Sequence, residues 1–281
     1  MLKVRTAPPE PALQSCIRAY VQREARLGVQ ELVEPVVARL GVMLEFEFAG
    51  SYEVRNYDSG RLEATNPISI IGPQAWRRAR LIIRGHVESL VVMFQPAGFY
   101  ALFGTPTSPL AETGTEGHSV LGPAISQLHE RLGNVQSFAE RVLLLDRYFL
   151  MQLKNSADLA RFDPVHKALR LLTIPDHSGA GSAPRVEEIV RQMGANRRYL
   201  ERKALMYAGV TPKQLTRIAR FSRALALRSE TEQTWTQIAQ ATGYHDHMHM
   251  IRDFRVFAGD APTSALQEIS PDHLIHFALS D

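Results

Sequence analysis

In the last third of the chain, apolar residues recur at helical spacing, and the pattern breaks twice at a glycine. Val186, Ile189 and Met193 form a short stripe; Gly194 and Asn196 interrupt it, and Leu200, Ala204 and Tyr207 resume it. Trp235, Ile238 and Ala239 form the next stripe, broken by Gly243 and Asp246 ahead of Met250, Phe254 and Phe257. A short helix, a turn glycine and a capped second helix make a helix-turn-helix unit. The spacing predicts one unit over about 185–208 and another over about 234–258. Glycine suits both turns because it reaches left-handed backbone without steric penalty. Between the units, Thr211 and Pro212 place a capping hydroxyl before a proline suited to the first helical position. They predict a joining helix over about 211–228.

The first 160 residues have a different texture. Pro8 to Leu13 reads as extended, with a short amphipathic stretch through Tyr20. Short β-type runs separated by Gly, Pro and Asn follow: Val42–Phe48, Ser51–Asn56, Ile68–Ile71, Ala79–Arg84 and Glu88–Phe94. In Leu44-Glu45-Phe46-Glu47-Phe48 the alternation predicts one buried face and one wet face. Strands of this spacing suggest a sandwich or barrel. After Gly104 the pattern becomes helical, in Gly122–Leu132 and Gln136–Lys154. The second of these is apolar around most of its circumference, which predicts burial within its own domain or against a second copy. The fold class is therefore α+β multidomain. Residues 1–160 form a domain that is β-rich to about 95 and helical after 104; residues 161–281 form an all-α domain. Asn155–Asp158 reads as a linker, Asp163–Leu172 as the first helix of the second domain, and His177–Pro184 as a loop within it.

Length and charge sharpen this outline. The 281 residues suit two domains. The net charge of +3 is mild, yet between Arg185 and Arg228 eleven Lys or Arg stand against three acids. Such local excess fits a defined footprint on an anionic partner better than diffuse coating. The single cysteine, Cys16, excludes an internal disulfide framework and a Cys-rich zinc site and fits a reducing cytoplasm. The first ten residues lack the apolar core of a signal peptide, and no run of about 18 apolar residues is present. The expectation is a soluble cytoplasmic protein without membrane contact.

The second helix of each unit has an outward face suited to the edges of bases in a major groove. Arg197, Arg198, Glu201 and Arg202 look outward in the first, and His247, Met248, Ile251, Arg252 and Arg255 in the second. Arg bonds guanine in two places, Glu accepts from cytosine, and Met or Ile touches a thymine methyl. The joining helix spans about 27 Å, which would set two such helices near one duplex turn apart, roughly 34 Å. Arg217 and Arg220 on that helix are expected to meet phosphates between the grooves. His245, His247 and His249 suggest a metal, but neither a nearby Cys nor an H-E-x-x-H arrangement supports one; no metal or cofactor is expected.

The residues Gly194, Leu200, Arg202, Gly209-Val-Thr-Pro212, Arg217, Ala224, Ile238-Ala239, Gly243-Tyr244, His249, Arg252-Asp-Phe254-Arg255, Phe257, Gly259 and Pro262 stand in a long pattern. With it, about 164–268 resembles the DNA-binding domain of the AraC/XylS family of bacterial transcription regulators. The resemblance implies a seven-helix domain whose third and sixth helices enter successive major grooves. Ala204, Met250 and Ala261 depart from the family's usual residues. Gly72-Pro-Gln74 and Phe94-Gln-Pro96-Ala-Gly98 through Gly104 resemble the N-terminal region of one subgroup, implying a cupin-like β-barrel that senses an effector, dimerises, or both.

These features imply a sequence-specific regulator that binds promoter or operator DNA. The expected partners are a small-molecule effector, RNA polymerase and a second copy in a homodimer. Tyr52, Trp76 and Arg80 are the ligand candidates, with Arg77, Arg78 and Arg84 beside them; arginines on edge strands also serve to block outward pairing. The alternative is an enzyme with an appended DNA-binding module. It would be either a repair protein with Cys16 as alkyl acceptor or a cupin enzyme, for which His86 is the one histidine in a candidate strand region.

Overall fold

The computed structural model describes residues 2–57, 59–77, 79–156, 164–173 and 186–269. Arg78, the second half of the expected linker (157–158) and the 177–184 loop lie outside them.

The N-terminal part is built on two long antiparallel strands, β2 (Ile17–Val36) and β7 (Ala79–Phe94), paired along nearly their whole length. Six of the eight described strands run in the order β1-β2-β7-β3-β6-β8, with β1 (Leu2–Ala7), β3 (Met43–Ala49), β6 (Ile68–Ile71) and β8 (Gly114–Glu116). The short β4 (Glu53–Asn56) adds to the other end of β7 and carries β5 (Leu62–Ala64). The two runs expected at 79–84 and 88–94 are one strand that continues through Gly85, at φ 68°. Opposite it, β2 shifts register between Arg26 and Glu31, where Gly28 has φ 60°. Irregularities of this kind bend a strand pair and raise its twist. The Pro8–Leu13 stretch is not extended throughout; Pro11–Leu13 makes a single 3-10 turn.

The sheet has two buried faces. Tyr20, Leu44, Phe46, Ile70, Leu90 and Val92 pack against α1 (Gly98–Phe103), α3 (Pro123–Gly133) and α4 (Phe138–Asn155), with α2 (Gly117–Leu121) beside them. The opposite face carries Val21, Met43, Val91 and Met93 together with Arg23, Glu45, Glu47, Ser69 and Ser89. Here the structure corrects the alternation in 44–48: Glu45 and Glu47 are 4% and 6% exposed, so the polar face is enclosed. The α4 helix buries Leu145, Tyr148 and Phe149 in this domain, and leaves Leu143 and Met151 exposed.

Seven described helices make up the C-terminal part: α5 (Pro164–Leu171), α6 (Val186–Gln192), α7 (Arg197–Ala208), α8 (Pro212–Glu230), α9 (Trp235–Ala241), α10 (His247–Phe257) and α11 (Pro262–Glu268). Their core is continuous with the sheet domain, since Val37, Ala38, Leu40, Ala75, Ala97 and Tyr100 join Leu200, Tyr207, Phe221, Phe254 and Phe257 in one cluster.

Candidate nucleic-acid interface

Three helices of the two units, α7, α9 and α10, and the joining helix α8 start where the sequence supplies a cap. Asn196 accepts from the Tyr199 N–H at 2.8 Å and Asp246 from the His249 N–H at 2.6 Å. Thr211 with Gln214, and Thr234 with Gln237, close reciprocal capping boxes on α8 and α9. Such caps satisfy backbone donors that a helix start leaves open, each worth about 1 kcal/mol. Gly194 and Gly243 occupy the turns with φ 59° and 75°, the left-handed region.

The caps fix which faces turn inward. Leu200, Ala204 and Tyr207 of α7, and Met250, Phe254 and Phe257 of α10, are buried. Arg197, Arg198 and Arg202 are exposed on α7, as are His247, Met248, Arg252 and Arg255 on α10; Glu201 and Ile251 are half-buried. Within the α7 face, Arg197 pairs with Glu201 at 2.9 Å one turn on and lies 3.7 Å from Glu187. Arg202 stands 5.9 Å from the Tyr199 ring. Both α7 and α10 therefore offer solvent a basic, partly apolar face beside a helix N-terminus, the geometry that a groove-reading helix requires.

The joining helix α8 uses its arginines in internal contacts. Over its 19 residues it spans about 28 Å, close to the expected length. Arg217, however, is turned inward. Its Nε and Nη2 donate to Asp253 Oδ1 at 3.0 and 2.6 Å, and its guanidinium lies 5.0 Å from the Phe257 ring. Asp253 is 1% exposed, so this ion pair ties α8 to α10 inside the domain. Arg220 donates to the Gly243 carbonyl at 3.0 Å and sits over Tyr244 at 4.8 Å, bracing the second turn. Sequence spacing missed both roles, because the partners lie 36 and 23 residues away.

The sheet domain grips the C-terminal end of each outward-facing helix. On α7, the Met206 carbonyl accepts from the Thr107 N–H at 2.8 Å, the Tyr207 carbonyl accepts from the Thr107 hydroxyl at 2.9 Å, and Tyr100 stacks on Tyr207 at 4.0 Å. On α10, the Phe257 carbonyl accepts from the Ala38 N–H at 2.8 Å, and Arg77 Nη1 donates to the Ala258 carbonyl at 2.8 Å. Arg77 also reaches Glu268 at 2.7 Å and the Tyr57 hydroxyl at 2.6 Å, and only 10% of its side chain is exposed.

A cavity of about 440 Å³ lies against the enclosed polar face of the sheet. Val36, Val37, Val54 and Leu81 line its apolar part, and Arg23, Arg39, Glu45, Ser69, Gln74 and Glu112 its polar part. Its edge at Val37, Arg39 and Gln74 flanks Ala38 and Ala75, which enter the core shared with the helical domain. None of the three ligand candidates lines it. Tyr52 is buried nearby with its hydroxyl 2.7 Å from Ser89, while Trp76 is 37% exposed. Arg80 bonds the Tyr57 hydroxyl at 2.9 Å and lies 3.9 Å from Glu268, on the domain junction. Arg84 is held between Glu31 and Glu53. Burial holds Glu47 up at about 7, against a weaker opposing hydrogen bond from Thr65, and it also raises Glu45.

Residues 189–268 match the model of a helix-turn-helix domain, and residues 5–116 that of a domain of unknown function, DUF6597. Among curated proteins, none matches the chain in sequence. Among solved structures, the chain is similar to unsaturated fatty acid-bound ToxT from Vibrio cholerae, at 14% identity and a TM-score of 0.50, over 89% of this chain and 96% of that one. Another ToxT structure from that organism aligns over 96% of this chain and 99% of its own, at 13% identity and a TM-score of 0.49. At these identities the likeness is one of fold. No helix among the described residues is long and apolar enough to cross a membrane.

Proposed function

We infer that this chain, a DNA-binding transcription regulator of the AraC/XylS family, reads two successive major grooves with α7 and α10 and is set by a small molecule bound against its sheet. The observation that carries this reading is the pair of capped helices with exposed arginine faces, each held at its far end by the sheet domain. Arg198, Glu201 and Arg202 are the base readers of the first unit, with Arg197 beside them. His247, Met248, Ile251 and Arg252 are those of the second, with Arg255 toward the backbone. Fluorescence anisotropy with captured genomic fragments tests it. Specific sites should compete about 10³-fold or more better than bulk DNA at physiological salt.

The sensor function follows from the cavity and its neighbours. A ligand that packs on Val37, Arg39 or Gln74 presses on the segment whose Ala38 N–H holds α10. Any difference in its affinity between two arrangements of the domains shifts the population between them. The fatty acid in ToxT gives a precedent for a ligand on this fold, though not for its identity here. The protein acts in the cytoplasm as a homodimer, with the exposed Leu143 and Met151 of α4 available to a second copy, and it contacts RNA polymerase when bound. Sedimentation at micromolar concentration tests the dimer.

The enzyme reading has less support. Cys16 is fully buried and burial pushes its thiol up, which disfavours the thiolate that an alkyl acceptor needs. Incubation with alkylated DNA followed by mass measurement decides it; a mass gain on Cys16 would revive that reading.

A further inference from the structure

The cavity behind the sheet carries charges of both signs. Arg23 and Arg39 face it with Glu45 and Glu112, and Arg39 interacts electrostatically with the other three. Glu63 adds a third carboxylate at the rim, half exposed and paired with Arg61 at 3.4 Å, so the four inner charges cancel among themselves and neither a simple anion nor a simple cation matches them by charge alone. Glu45 is the informative member. It is 4% exposed and Ser89 bonds it, yet its Oε1 has no hydrogen-bond donor among the described residues. A buried acceptor in that condition is unfavourable until a ligand N–H reaches it. Arg39 gives Nη1 to the Gly41 carbonyl and Nη2 to the Gly72 carbonyl, both at 3.2 Å. A guanidinium has five N–H groups, so donors remain for an anion. Val36, Val37, Met43, Val54, Ile71 and Leu81 supply the cavity's apolar walls. Its volume of about 440 Å³ is that of a small-molecule site.

We propose that this cavity binds a compact zwitterion, a free amino acid or close derivative with an apolar side chain. The ligand's carboxylate meets Arg39, its ammonium meets Glu45 Oε1, and its side chain packs on the valine and leucine wall. This rests on the sensor reading above and narrows it to one chemical class. Its logic is complementarity: each half of the ligand satisfies the buried group of opposite sign, and removing either half leaves the other site group desolvated and unmatched.

The test is thermal unfolding of the full chain with matched probes. L-leucine and L-phenylalanine are compared with their amines, isopentylamine and phenethylamine, and with their acids, 4-methylpentanoate and 3-phenylpropanoate. D-ribose and oleate stand for a neutral polyol and a long-chain acid. At least one amino acid should raise the midpoint and half-saturate at a concentration tenfold or more below both of its counterparts. E45Q should weaken that amino acid by tenfold or more; the trio on the unaltered chain carries the test if E45Q does not fold. If an acid, an amine, ribose or oleate alone stabilises as well as any amino acid, the zwitterion is overturned and the sensor reading stands. If every free amino acid is silent, the zwitterion is again overturned. A wider metabolite panel then decides the sensor reading, which falls if that panel is silent too.

Discussion

Replacing Arg217 by Met separates an internal role from a phosphate contact. Asp253 is 1% exposed and takes two hydrogen bonds from Arg217 on Oδ1, while its Oδ2 has no partner among the described residues. R217M keeps an unbranched apolar side chain at the site but removes the guanidinium over Phe257 and strands a buried carboxylate. Breaking a buried ion pair in this way costs about 3–5 kcal/mol. Arg217 itself is 30% exposed, so water reaches its end of the pair and the loss should fall near the lower bound, about 3 kcal/mol. With a urea slope of about 1–3 kcal/mol per molar, the midpoint of the helical transition, followed by far-UV circular dichroism, should drop by roughly 1 M or more. R217M/D253L should recover most of that loss, because two apolar groups leave nothing unpaired. If R217M unfolds within about 0.5 kcal/mol of the parent, and instead lowers the salt slope of DNA binding by about one, the charge serves a phosphate and the internal assignment is wrong.

Other expectations follow from the same contacts. R202A and R252A should each weaken specific binding by about 1–3 kcal/mol and relax preference at one base position; an unchanged affinity and preference in a competition titration would reject the assignment. R77A removes the bonds to Ala258 and Glu268 and should speed amide exchange at 256–258, with about 1–3 kcal/mol lost globally; unaltered exchange there would refute the clamp. Glu47, with an ordinary value of 4.5, is held at about 7 by burial. Between those values the unfolded chain has lost a proton that the folded chain keeps. Stability is therefore full below about 4.5 and declines as pH rises through about 7. E47Q should flatten that decline in urea titrations run across the window, and a slope that persists would assign it to another group.

The helical half was legible because its signals are local. Asn196, Asp246, Thr211 and Thr234 cap the helices they precede, and apolar residues three or four apart gave the buried faces of α7 and α10. The sheet half was less so. The β2 strand hides in a charged run, Arg23-Glu24-Ala25-Arg26, and gains its identity from a partner more than 50 residues on. Residues such as Arg23 and Glu45 imitate a wet face in sequence, yet the fold turns them to the cavity, and Glu47 is buried on the same face. The ligand candidates lie outside the cavity for a related reason: aromatic and basic residues drew attention to Trp76 and Arg80, which face solvent and the domain junction. The pair Arg217–Asp253 was likewise invisible, since no periodicity reveals that a surface-patterned arginine is answered by an acid on another helix.

The central claim is that α7 and α10 read one duplex together at two successive turns. Hydroxyl-radical footprinting of the full chain on a captured site, at moderate ionic strength, measures it directly. Two protected patches should appear on one face of the DNA, centred about ten base pairs apart, with R202A erasing one and R252A the other. A single patch, or protection that the two substitutions change alike, would contradict it.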